Sequence, residues 1–100
     1  NLLMQKVEEF HAKGKYIAAI CAAPSIFGHR GMLDGRCACS YPSYEEQLTG
    51  AKVSQNPVEI SEHIITSRGM GTAIDFALCI VACINGQQCA DEIKAAIIYQ

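Results

Sequence analysis

The rhythm of apolar and polar positions changes several times along this chain. Between residues 2 and 13, Leu3, Val7, Phe10 and His11 fall on one side of a helical wheel, with Lys6, Glu8, Glu9 and Lys13 largely on the other. The spacing predicts an amphipathic helix stopped by Gly14. Residues 16–20 form an apolar run without alternation, which predicts a strand buried on both faces in a parallel sheet and ending at Cys21. Pro24 and Ser25 then favour a helix start, because a proline in the first turn gives up a donor that would have no partner there. That helix ends by Gly31.

Residues 36–40 read as another short strand. Pro42 follows, then Ser43-Tyr44-Glu45-Glu46, the pattern of a capping box in which Glu46 reaches back to the Ser43 amide. Residues 52–55, 58–60 and 63–66 read as short strands parted by Asn56-Pro57 and Ser61-Glu62, the second pair as a hairpin turn, and together they predict an edge of the sheet. From Thr72, a candidate N-cap, the positions Ile74, Ala77, Leu78, Val81, Ala82 and Ile84 make a broad helical stripe, with Asp75 near the positive end of the dipole. Gly86 ends it, a last helix covers 88–95, and the apolar tail 96–99 is expected to dock. With no repeat or low-complexity linker between them, the elements belong to one α/β layer structure.

Composition narrows the function classes. The chain has 100 residues, half of them hydrophobic and 18% charged, so it carries enough apolar surface for a core. A net charge of -2 with scattered Lys and Arg leaves no basic stripe for a phosphate backbone, so nucleic acid is not an expected partner. No run approaches the roughly 20 apolar residues of a membrane span, so no membrane is expected either. Of the six cysteines, Cys79 and Cys83 lie in a hydrophobic helix pattern and Cys21 closes an apolar strand rather than turn-rich sequence, which suits a reduced, cytoplasmic chain better than a secreted disulfide scaffold. Cys37-Ala38-Cys39 lacks a zinc knuckle, and no metal or other cofactor is expected.

The stretch Ile17-Ala18-Ala19-Ile20-Cys21-Ala22-Ala23-Pro24 holds the candidate chemistry. A buried strand that enters a helix through small residues resembles a nucleophile elbow, which lifts one side chain above the C-terminal edge of a sheet. Here that side chain is Cys21, and amides of the next helical turn would favour its thiolate. The alternative is a small core residue at a strand end. Ser67-Arg68-Gly69-Met70-Gly71-Thr72 is the second anchor, read either as a loop whose amides and Arg68 face an anion or as a plain strand-to-helix turn. His11, His29 and His63 have no catalytic context, and Cys37, Cys39, Cys79, Cys83 and Cys89 are expected to fill apolar space.

Ala19-Ile20-Cys21-Ala22-Ala23-Pro24, the segment from Gly35-Arg36 to Tyr41-Pro42, and Ile65-Thr66-Ser67-Arg68-Gly69-Met70-Gly71-Thr72 with Phe76-Ala77-Leu78 resemble the ThiJ/PfpI family of the class I glutamine amidotransferase-like superfamily. Tyr41 before the proline resembles its thiazole-related branch, whereas Met70 stands where the family usually has proline. The resemblance implies a flavodoxin-like three-layer sandwich with a mostly parallel sheet, usually a homodimer. It implies that residues 1–100 form the C-terminal portion of a single domain, whose early strands, glycine-rich turn and glutamate would lie upstream of Asn1. It also implies a nucleophilic Cys21, an oxyanion donor in the Ala22 amide, and pocket positions at Tyr41, Arg68 and Gly69. The implied function is cofactor-free conversion of small reactive carbonyls in stress protection. The alternatives are a redox sensor or chaperone that uses oxidation of Cys21, and an amidase or protease.

Overall fold

The computed structural model describes all of residues 1–100. Its first helix, α1 (Leu2–Ala12), begins where the Asn1 side chain accepts the Met4 amide at 3.1 Å. Strand β1 (Ile17–Ile20) leads through the Cys21 turn into the short helix α2 (Pro24–His29). Strands β2 (Cys37–Ala38) and β3 (Lys52–Val53) flank a 3₁₀ segment, Pro42–Gln47. A hairpin of β4 (Val58–Ser61) and β5 (Ile64–Ser67) follows, then a 3₁₀ turn at Met70–Thr72 and helices α3 (Ala73–Asn85) and α4 (Gln87–Ala96).

The main sheet has the order β1-β5-β4, with β1 parallel and β5–β4 antiparallel. Ile17 pairs with Ile64 and Ile20 with Ser67, so the C-terminal ends of β1 and β5 stand side by side. Alternation sorts the strand residues between two helical layers. Ile17, Ala19 and Ile64 turn toward Phe27, Met32, Leu33, Ala38 and Leu48, which form the core, with Val7 of α1 and Ala23 packed at its border. Val58 and Ile60 turn the other way, onto α3 and α4. Burying a side chain such as the fully enclosed Leu33 stabilises the fold by roughly 1.5–3 kcal/mol.

The fold is therefore α/β, with helices on both faces of a mixed sheet, and several sequence expectations change in detail. Within residues 1–100, β1 lies at the edge of the sheet and Ala18 is exposed, so only one face of the strand is buried here. Its apolar run reflected the buried Ile17 and Ala19, and Ala18 adds too little side chain to break the pattern. β5, expected near an edge, is the central strand, while β2 and β3 make a separate two-stranded parallel sheet. The hairpin turn is Glu62-His63 rather than Ser61-Glu62, with Glu62 at φ 56° as tight two-residue turns require. The Ser43–Glu46 capping box does not form, because the segment is 3₁₀ and starts from Tyr41 with no side-chain cap. In the tail, the Tyr99 hydroxyl donates to Asp75 Oδ1 at 2.8 Å, whereas Ile97 and Ile98 stay exposed. No helix is long and apolar enough to cross a membrane.

Candidate active site

The parallel pairing of β1 with β5 brings Cys21 beside Ser67. The Cys21 amide donates to the Ser67 carbonyl at 3.1 Å, and the Cys21 carbonyl accepts the Tyr41 amide at 2.8 Å. Between these bonds Cys21 holds φ 67°, in the left-handed region that a side chain with a Cβ enters at a cost of roughly 1–2 kcal/mol. Backbone strain of this kind collects at functional turns. The chain then closes quickly, as Ala23 N–H donates to Ile20 O at 3.2 Å and the Ser25 hydroxyl donates to Ala22 O at 2.7 Å. The Ala22 amide enters no backbone hydrogen bond. A half-buried thiol thus sits at the crest of a strained turn, next to one free N–H.

Tyr41 and Gly69 meet beside this turn. A Cβ on Gly69 would lie 3.7 Å from Tyr41 Cδ1, so the half-exposed ring lies along the Gly69 backbone. Gly69 itself is extended, at φ 175°. Arg68 points back toward the same segment: its Nε donates to Ser40 O at 3.4 Å, and Nη2 lies 3.7 Å from Glu45 Oε2. That carboxylate oxygen is buried and accepts no hydrogen bond, so the guanidinium is its only nearby compensation. Arg68 is thus committed to a contact within the chain, and it fastens the loop after β5 to the segment after β2.

The amides of this loop are committed as well. The N–H groups of Arg68 and Gly69 donate to Thr72 Oγ1, at 3.3 and 3.1 Å, rather than facing an anion. Thr72, expected as a helix N-cap, makes no cap bond in α3 and instead gathers this loop, also meeting Ser67 Oγ at 2.7 Å. Replacing Thr72 with valine keeps the shape and leaves those amides without their acceptor. The expected loss is about 1–2 kcal/mol, read from the urea midpoint at unchanged m-value.

Cys21, Ala22, Tyr41, Arg68 and Gly69 therefore converge at one end of the sheet. The histidines do not join them: His29 is exposed at the far end of α2, and His11 and His63 meet at the opposite end of β1 and β5. No group of three or more His, Cys, Asp or Glu side chains is placed to hold a metal ion. Sequence reasoning missed Glu45 as the partner of Arg68, since its local pattern read as part of a cap. It also missed Thr66, whose hydroxyl accepts the Cys39 amide at 3.1 Å behind the site. Burial pushes the Cys39 thiol above its ordinary pKa, which keeps this second cysteine protonated.

Residues 1–83 match the DJ-1/PfpI family. The chain belongs to that family. It is 35% identical over 99 residues to DJ-1 homolog A of Arabidopsis thaliana, a match covering 96% of this chain and 25% of the plant protein. It is 38% identical over 76 residues to the glutathione-independent glyoxalase DJR-1.2 of Caenorhabditis elegans, covering 75% of this chain and 41% of that one. The structure of oxidized Toxoplasma gondii DJ-1 superposes with a TM-score of 0.86 at 34% identity, covering 93% of this chain and 51% of the other. The chain thus spans about half or less of the length of these DJ-1/PfpI proteins, and its sandwich is their flavodoxin-like fold.

Proposed function

We propose that Cys21 is the nucleophile of a glyoxalase-type reaction on small reactive carbonyls, in keeping with a stress-protection role of DJ-1 relatives. The thiol adds to the aldehyde carbon of methylglyoxal; the S–C bond forms, and the carbonyl oxygen becomes a hemithioacetal oxygen beside the Ala22 amide. A base moves the C1 proton to C2, which leaves a thioester of lactate, and water releases lactate and restores the thiol. The sum is methylglyoxal plus water to lactate, so no redox cofactor is consumed. The base is not among the residues that meet at Cys21, and we assign it to sequence upstream of residue 1. In this reading residues 1–100 are the C-terminal portion of one domain, further strands cover the free edge of β1, and the working protein is a homodimer in a reducing, cytoplasmic setting.

One observation carries the proposal: Cys21 alone among the six cysteines holds a positive φ, and it does so beside an unused amide. The nematode relative's name as a glyoxalase agrees with it. The test is incubation of the intact protein with methylglyoxal, without glutathione, and assay of lactate. Lactate formation supports the reading. No lactate, together with a peroxide-driven gain of two oxygens confined to Cys21, replaces it with redox sensing, a second reading that the oxidized form of the Toxoplasma relative favours.

A further inference from the structure

At the end of the sheet remote from Cys21, two histidines from different elements touch. His11 lies in the last turn of α1 and His63 in the β4–β5 turn, with His11 Nδ1 2.9 Å from His63 Nε2 and ring centroids 5.0 Å apart. This distance is a hydrogen bond, so one nitrogen carries a proton and the other offers a lone pair. Both rings are half-buried, and neither takes part in the chemistry assigned to Cys21.

The contact matters because, within residues 1–100, α1 has few other ties to the body. No residue of α1 is fully buried. Its ties to the body are Val7 at the border of the core, an exposed ion pair of Glu8 with Arg30, and the histidine pair. An exposed ion pair contributes at most about 1 kcal/mol. Beneath the helix runs an apolar groove of about 330 Å³, lined by Leu3, Val7 and Phe10 from α1 and by Ile17, Ile26 and Phe27 from the body.

We propose that His11 and His63 form an acid-operated latch that holds α1 against the hairpin and releases it when both rings carry a proton. A neutral or singly charged pair can share one proton along the bond. A doubly charged pair turns two donors on each other with no acceptor between them, and adds like-charge repulsion. The other charges around the pair do not prevent this. Arg36, which approaches from the start of β2, faces His63 and adds a further positive charge. Glu62 opposes it, but Glu62 is mostly exposed and lies 3.5 Å from the Arg36 guanidinium. On α1, Glu8 is engaged by Arg30, and Lys13 by Glu9. Burial first, then His11 and Arg36, hold the His63 ring below the ordinary imidazole pKa, and Glu62 only partly offsets them. The folded state therefore prefers neutral His63. Its stabilisation is present above the unfolded value of about 6.5 and is lost as pH falls through the lower folded value.

Amide hydrogen exchange on the intact protein tests the latch, with a β5 peptide as internal reference for the α1 peptide. The α1-to-β5 protection ratio is expected to hold between about pH 8 and about pH 6.5 and to drop about tenfold by about pH 5. His11→Gln and His63→Gln should each flatten that profile, and in His11→Gln the NMR titration midpoint of His63 should rise. A ratio that stays level in wild type, a drop that persists in both variants, or a His63 midpoint indifferent to His11→Gln overturns the proposal.

Discussion

Cys21→Ser is expected to lower kcat/KM for methylglyoxal at least about a thousandfold while leaving the denaturant midpoint close to that of wild type. Serine has the same shape, and both backbone bonds of residue 21, to Ser67 O and from Tyr41 N, survive the exchange. Loss of rate therefore reports on the nucleophile and not on the fold. Cys21→Gly separates the two further. Glycine occupies φ 67° without the Cβ penalty, so this variant is expected to be more stable than wild type by up to about 1 kcal/mol, and inactive. Cys21→Val makes the opposite change, branching the side chain at Cβ on a left-handed backbone that β-branched residues rarely adopt, and is expected to be less stable than wild type. A Cys21→Gly protein that is less stable than wild type would show that the turn is not strained. A Cys21→Ser protein that keeps its rate would remove the thiol from the mechanism.

How much of this was legible beforehand depends on the range of the interaction. Periodicity identified α1, α3 and α4 because each is a run whose one face meets the same neighbour along its length, whereas β1 was legible only as an unbroken apolar run. The elbow was legible because strand, small residues and proline are adjacent in sequence. Contacts between distant segments left no such trace. Glu45 and Glu46 carry the spacing of a cap, but the structure uses Glu45 against Arg68, across the whole β3–β5 region. Thr72 carries the signature of an N-cap, yet its hydroxyl faces backward to the Arg68 and Gly69 amides, because the 3₁₀ turn at Met70–Thr72 rotates it away from α3. Strand order was equally hidden. The hydrophobicity of β5 fits a centre position, but nothing local says that β3 leaves the main sheet to pair with β2.

Gly28→Ala is the second change with a large expected effect, and here local reasoning gives the wrong sign. Within a helix, alanine is favoured over glycine by about 1 kcal/mol, and Gly28 lies inside α2. The packing reverses this. A Cβ at position 28 would run into the Gln47 carbonyl oxygen and lie 2.9 Å from Leu48 Cα and 3.0 Å from the Thr49 amide nitrogen. All three are backbone atoms, so no side-chain rotation relieves the contact. α2 would have to move away from the end of the Pro42–Gln47 segment, opening the seam where Phe27, Leu33 and Leu48 are buried. Overpacking costs roughly 1–3 kcal/mol, and with backbone on the receiving side the upper end is expected, a large part of the 5–15 kcal/mol of a typical domain. Gly71→Ala is the matched control, since Gly71 has open space around its Cβ position and no left-handed φ, and it should stay within about 0.5 kcal/mol of wild type. Equal denaturant midpoints for Gly28→Ala and Gly71→Ala would mean that α2 and the 3₁₀ segment stand further apart than described. A large gap between them would locate a main stabilising contact of the Cys21 turn, because that turn leads into α2 and Tyr41 caps the 3₁₀ segment.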